Sequence, residues 1–184
     1  MTVPGAVDLI REVARCMGSD VLVGAGTVLD AATARECADA GAQFLVSPGL
    51  DCETVDFAKS RNIVMMAGAL TPTEVMNAWK AGADFVKIFP CGELGGANYI
   101  KALRGPLPQI PMVPTGGVNL ETAADFIRAG AVALGVGGEL ISSAALNAGN
   151  THLICECARR FIEVVQNARS LLDQKRDEAG VAWR

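Results

Sequence analysis

The sequence predicts an α/β protein built on parallel strands, and an alternating pattern carries this prediction. Short apolar runs end in glycine or proline, and each is followed by a helix-like segment. The runs are VLVGAG (21–26), QFLVSPG (43–49), IVMMAG (63–68), FVKIFP (85–90), MVPTGG (112–117) and ALGVGG (133–138). Apolar strands separated by helices are typical of a parallel sheet that helices cover on both faces.

The helix-like segments carry start and stop signals of their own. Their predicted starts are marked by Asp51, by Asn119, and by a capping box in which Thr71 caps, Pro72 takes the first helical position and Glu74 reaches back. The AGA segments at 40–42, 81–83 and 129–131 each place a glycine between a helix and the next strand. This is the position where a helix end favours glycine, so the repeat is structural.

Two architectures fit this alternation: an open doubly wound sheet and a closed (β/α)8 TIM-type barrel. Glycine and polar residues collect at the ends of nearly all the strands instead of at one switch point, which favours the barrel. The chain opens in a helix-like segment, PGAVDLIREVARCM (4–17), so a barrel would lack its first strand, first helix and second strand. We therefore expect an N-terminally truncated TIM-type barrel with six recognisable βα units. The expected organisation is a single domain over residues 1–184 that ends in an amphipathic helix over 150–184.

Composition narrows the possible partners. The net charge is −4 without a basic block, which argues against nucleic acid, and no apolar run is long enough to span a membrane. The start of the chain does not resemble a secretory signal, so we expect a cytoplasmic protein with reduced cysteines. His152, Cys155 and Cys157 do not converge on one helix face, so no metal is expected. A small-molecule partner without a metal or other cofactor is the expectation.

Lys87 is the candidate catalytic residue, because it lies inside the apolar run FVKIFP. Apolar neighbours disfavour the ammonium form, so part of the population is a free amine that can condense with a ketone. The competing interpretation is a structural lysine that extends between helices. Other strand ends supply the hydroxyl of Thr27 and the rigid apolar side chains of Pro48 and Phe89.

The last two apolar runs end in glycine pairs, Gly116-Gly117 and Gly137-Gly138. Barrel enzymes often bind phosphate after their last two strands, and consecutive glycines let backbone N–H groups converge on an anion. Tight turns are the alternative explanation.

These motifs resemble a known family. VGAGTVL, FLVSPG, DFVKIFP, GGANYIKALRGPLPQIPMVPTGG and LGVGG are similar to the class I pyruvate aldolases that cleave 2-keto-3-deoxy-6-phosphogluconate (KDPG) and 4-hydroxy-2-oxoglutarate (KHG), from about Met1 to about Gly149. The resemblance implies that Lys87 forms a Schiff base with pyruvate, and that the chain is a homotrimer. It also implies that Thr27 contacts the pyruvyl oxygens, that Pro48 and Phe89 line the pocket, and that Gly116, Gly117 and Gly138 bind the distal end of the substrate.

The chain departs from the family pattern at two places. The family's general acid/base glutamate aligns just ahead of Met1, and Thr2 stands where some relatives have a substrate-binding arginine. Glu139 stands where many relatives have a serine that helps to hold phosphate, and a carboxylate there would repel a phosphate dianion unless it turned to solvent. We therefore expect impaired turnover in this chain. Two other interpretations remain. One is a different phosphate-binding barrel enzyme, such as an isomerase or decarboxylase. The other is a non-catalytic remnant that acts as a subunit or binding module.

Overall fold

A computed structural model describes residues 1–19 and 21–178 of the chain, with the side chains of 175–178 left out. The backbone divides into two compact units, Met1–Phe89 and Pro90–Arg184. We describe each unit by itself, so the expectation of a single domain stays a prediction.

The first unit alternates helices and strands as the sequence predicts. Its elements are α1 (Ala6–Met17), β1 (Gly24–Gly26), α2 (Ala31–Asp39), β2 (Phe44–Val46), α3 (Cys52–Ser60), β3 (Val64–Ala69), α4 (Pro72–Ala81) and β4 (Phe85–Ile88). β1 pairs with β2, β2 with β3 and β3 with β4, all in parallel. The carboxyl ends of these strands therefore lie along one edge of the sheet, where the sequence places the candidate site.

Local sequence accounts for the helix boundaries in this unit. The side chain of Asp51 accepts a hydrogen bond from the Thr54 N–H at 2.9 Å and so caps α3. Thr71 and Glu74 form the predicted capping box of α4, and Pro72 is its first residue. The α4 helix ends at Gly82 with a φ of 99°, as the AGA pattern predicts.

The two faces of this sheet differ in burial. Side chains alternate between faces along each strand, and one set is buried: Ala25, Leu45, Met65, Ala67, Val86 and Ile88. The other set is only partly buried and includes Phe44, Val46, Met66, Phe85 and Lys87. Lys87 therefore lies on the more open face, so its amine is shielded from water without being sealed from a ligand.

The second unit begins with a short 3₁₀ turn at Gly92–Leu94. It continues with α5 (Ala97–Arg104), β5 (Met112–Pro114), α6 (Ala123–Arg128), α7 (Ser143–Asn147) and α8 (Thr151–Glu178). The α8 helix covers most of the predicted C-terminal helix over 150–184, and residues 179–184 of that prediction lie outside the described residues. Buried Phe126 in α6 and buried Phe161 in α8 belong to the core of this unit, where the two helices pack.

Two predicted boundaries in the second unit were wrong. The sixth apolar run, 133–138, forms a single parallel bridge, from Gly135 to Thr115. Within the described residues it does not form a longer strand. Its glycines supply no side chains to pack and lower strand propensity. The α6 helix starts at Ala123, later than predicted, because the Asn119 side chain accepts from the N–H groups of Glu121 and Thr122 and holds a separate turn.

Candidate active site

Lys87 is the third residue of β4 and pairs in register with Gly68 of β3. Its side chain is half-buried, and burial lowers the pKa of the amine from its ordinary value of 10.5. The Nζ atom lies 4.6 Å from the centroid of the Phe89 ring, two residues further along the chain. The structure thus brings the predicted lysine and the predicted aromatic wall into direct contact.

Gly68, which the sequence analysis did not select, lies between Pro48 and Lys87. A Cβ atom on Gly68 would overlap the carbonyl group of Pro48, so the Pro48 backbone lies directly against Gly68. Gly68 pairs in register with Lys87, so Pro48 contacts the residue next to Lys87 on the neighbouring strand. The signal available in the sequence was the small residue in the middle of the MMAGA run.

Ser47 holds the Pro48 turn in place and was also missed. Its side chain is buried, donates to the Gly49 carbonyl at 2.6 Å, and is 3.4 Å from the Gly68 backbone N–H, from which it accepts. A buried hydroxyl with both roles satisfied ties the end of β2 to β3.

Thr27 follows β1 in a conformation that is unusual for its type. Its φ is 59°, in the left-handed region, and a β-branched residue is strained there. Thr27 and the exposed Thr2 line one cavity of about 290 Å³, together with Gly26. The structure therefore brings two predicted binding residues together, with the Thr27 backbone strained beside the cavity.

The glycine pair Gly116-Gly117 has the backbone freedom that an anion-binding turn requires. Both residues have positive φ, 87° and 73°, and a Cβ on Gly117 would lie 2.7 Å from the Cα of Gly92. The Gly116 carbonyl accepts from the Gly92 N–H at 3.0 Å, and the Gly117 carbonyl accepts from the Thr122 hydroxyl at 2.9 Å. Within the described residues the N–H group of Gly117 has no hydrogen-bond partner, so it is available to a ligand.

The second glycine pair, Gly137-Gly138, follows the bridge residue Gly135. Gly116 comes one residue after Thr115 and Gly137 comes two residues after Gly135, so each glycine pair follows one partner of the bridge. Gly138 and Glu139 are exposed, and Glu139 lines a cavity of about 250 Å³ with Asn119 and Glu121. Binding roles for Gly138 and Glu139 stay predictions.

A larger cavity in the second unit was not predicted. It measures about 920 Å³ and is lined by Gly92, Gly117, Lys101 and Arg128, among others. The Arg128 guanidinium is paired with Asp125 at 2.7 Å. Because Gly117 is one of the residues that line it, this cavity adjoins the Gly116-Gly117 turn.

Among residues 1–19 and 21–178, no group of three His, Cys, Asp or Glu side chains is arranged to hold a metal ion. In the same residues, no helix combines the length and apolar character that a membrane span requires. His152 and Cys155 are exposed on α8, and the Cys157 thiol donates to the Glu139 carbonyl at 3.4 Å.

A lysine with a lowered pKa at the carboxyl edge of a parallel sheet is typical of α/β enzymes that use an amine as a nucleophile. Residues 1–157 match the family described as Aldolase: KDPG and KHG aldolase. The KHG/KDPG aldolase of Escherichia coli strain K12 is 35% identical over 86% of this chain and 74% of its own length. The chain belongs to the KDPG and KHG aldolase family, which are lyases.

Solved structures agree with this assignment. A KDPG aldolase from Legionella pneumophila, with pyruvate captured at low pH as a covalent carbinolamine intermediate, has a TM-score of 0.80 at 27% identity, covering 89% of this chain and 78% of that one. A cube-shaped protein cage designed by fusing symmetric oligomeric domains has a TM-score of 0.89 at 29% identity, covering 98% of this chain and 65% of that one. The predicted α/β fold class of the TIM-type aldolases is confirmed by these similarities.

Proposed function

We propose that this chain is a class I aldolase that uses Lys87 to split KDPG or KHG into pyruvate and an aldehyde. The observation that carries the proposal is the half-buried Lys87 with a lowered pKa, whose amine lies against the Phe89 ring at the carboxyl edge of the sheet. The E. coli relative is named KHG/KDPG aldolase, and the Legionella structure holds pyruvate as a covalent carbinolamine. Both support an imine mechanism here.

The reaction starts when the free amine of Lys87 attacks the 2-keto carbon of the substrate. The carbonyl oxygen takes a proton and the attacking nitrogen loses one, which gives a neutral carbinolamine. The hydroxyl group then leaves as water after a second protonation, which creates a cationic iminium. Removal of the C4 hydroxyl proton then breaks the C3–C4 bond, and its electron pair moves into the iminium. The products are an aldehyde and a pyruvyl enamine, which takes a proton and is hydrolysed to pyruvate and free lysine.

The other residues bind the two halves of the substrate. We assign Thr2 and Thr27 to the pyruvyl oxygens, because they share a cavity at the end of β1. Pro48 and Phe89 exclude water beside Lys87. We assign the distal phosphate or carboxylate to the Gly116-Gly117 turn, in which the Gly117 N–H is free, and to Gly138. A Glu139 carboxylate that points to the Gly116-Gly117 turn would repel a phosphate dianion bound there.

We also propose that the chain works as a homotrimer. The designed cage, built from symmetric oligomeric domains, supports association. Light scattering coupled to gel filtration would detect it, with three times the 19.1 kDa chain mass as the expected result. A monomer at micromolar concentration would contradict the assignment.

The test of the function is the intact mass of the purified chain after incubation with pyruvate and borohydride. We expect one reduced pyruvyl group on the parent chain and none on Lys87→Ala. Lys80→Ala is the matched control, because Lys80 is an exposed lysine of α4 in the same unit. Absence of an adduct on the parent chain would favour the alternatives, an isomerase or decarboxylase barrel or a non-catalytic subunit.

A further inference from the structure

Phe89 holds a defined position relative to the Lys87 amine. The two residues are separated by one position along β4 and its extension, so they lie on the same face of the sheet. The 4.6 Å from Nζ to the ring centroid is within the range in which an aromatic face attracts a cation. The Phe89 side chain is 39% exposed, which leaves room beside the ring for a substrate.

We propose that the face of the Phe89 ring stabilises the cationic iminium that Lys87 forms with a 2-keto acid, which makes Phe89 a catalytic residue in addition to a pocket wall. This inference rests on the proposed function. It assigns the ring an electrostatic role that its apolar character alone would not supply.

The charge on the nitrogen changes along the reaction, and only some states benefit from the ring. The amine that attacks, the carbinolamine and the enamine are neutral at nitrogen, whereas the iminium formed when water leaves carries a positive charge. The ring therefore shifts the equilibrium between carbinolamine and iminium toward the iminium, the state that accepts electrons from the C3–C4 bond. The same attraction stabilises the ammonium form of free Lys87 and so opposes the effect of burial on its pKa.

Other charges on the neighbouring elements are directed elsewhere. β3, with the sequence VMMAGA, contributes no titratable side chain. On α4, Lys80 is exposed and the Glu74 carboxylate accepts from the backbone N–H groups of Leu70 and Thr71. Asp84, at the opposite end of β4, accepts from the Met65 N–H. Within the described residues of this unit, the Phe89 ring is the group that lies against the Lys87 Nζ.

The test replaces Phe89 with phenylalanines carrying one to five fluorines, which weaken the ring's attraction for cations with little change of shape. At a pH above the Lys87 midpoint, where the free amine is neutral, the fraction of chain trapped by pyruvate and borohydride should fall stepwise, by about two- to fivefold for the most fluorinated ring, the range for an exposed cation–π contact. The pH midpoint of trapping should move lower at the same time, because the ammonium loses the same attraction. A packing defect would not move the trapped fraction and the midpoint together in step with fluorination.

Phe57 is the matched control. Its ring lies 4.9 Å from the guanidinium carbon of Arg35 and 5.8 Å from that of Arg61, so the same fluorination weakens cation contacts distant from the reacting atoms. Trapping should be unchanged in that series. A flat series at Phe89, with the parent chain trapped normally, overturns this inference and leaves the aldolase proposal intact. No adduct on the parent chain overturns both.

Discussion

Lys87 is the residue whose protonation state controls the proposed chemistry. Burial lowers the pKa of its amine, so the reactive neutral form appears at a lower pH than it would for a solvated lysine with a pKa of 10.5. We expect the rate of borohydride trapping with pyruvate to rise with pH through a midpoint below that value. A Lys87 midpoint at the ordinary lysine value of 10.5 would argue against an activated amine.

Gly68 is the residue on which the pocket wall depends. We expect Gly68→Ala to destabilise the chain by about 1–3 kcal/mol, because the new methyl group overlaps the Pro48 carbonyl and one strand must shift. Trapping at Lys87 should fall as well, since Gly68 is its partner in the register. Gly49→Ala is the control for stability, because nothing lies within 4 Å of a Cβ there. Urea unfolding measures both variants, and equal midpoints would show that the contact does not matter.

At the scale of elements, α4 connects the strand before the site to the strand that carries Lys87. Thr71→Ala should cost about 1 kcal/mol of unfolding free energy, because its hydroxyl accepts from the Glu74 N–H at the first turn. Thr73→Ala, an exposed change in the same turn, is the control and should have a smaller effect.

The capping box also predicts a dependence on pH. Hydrogen bonds from the N–H groups of Thr71 and Leu70 lower the pKa of Glu74. The Glu74 contribution to stability is therefore present above the ordinary carboxyl pKa and is lost as the pH falls through the lowered pKa. The difference in stability between the parent and Glu74→Gln should shrink on acidification. A constant difference from pH 7 to pH 3 would contradict this linkage.

At the scale of the whole molecule, imine formation and turnover make different demands. Trapping requires Lys87 alone, whereas turnover also requires a base for the proton transfers. We propose, from the family resemblance, that a glutamate makes these transfers. We expect a chain extended by a family-type strand with this glutamate to turn over about 10²- to 10⁴-fold faster than residues 1–184, while trapping pyruvate equally. Equal turnover in both forms would remove this glutamate from the mechanism.

The predicted cytoplasmic location stays a prediction.

The sequence predicted most of the element order in physical terms. Alternating apolar runs and capping residues act over a few positions, so α3, α4 and the strands before them could be recognised without tertiary information. Strand lengths were overestimated, as for 43–49 against the observed Phe44–Val46, because the predicted run included the SPG residues that leave the sheet to form the turn. The final strand was reduced to a bridge for a similar reason, since its glycines pack poorly.

What the sequence by itself determined was the parallel α/β class and the choice of Lys87, because an ionisable residue inside an apolar run is visible in one dimension. Only the tertiary structure decided how that lysine is surrounded. The contact of Pro48 with Gly68 and the hydroxyl of Ser47 between two strands depend on strand pairing across about twenty residues of intervening chain. Phe89 was chosen from the sequence as an apolar wall, but its placement over Nζ depends on strand geometry and side-chain rotamers, which no local pattern encodes.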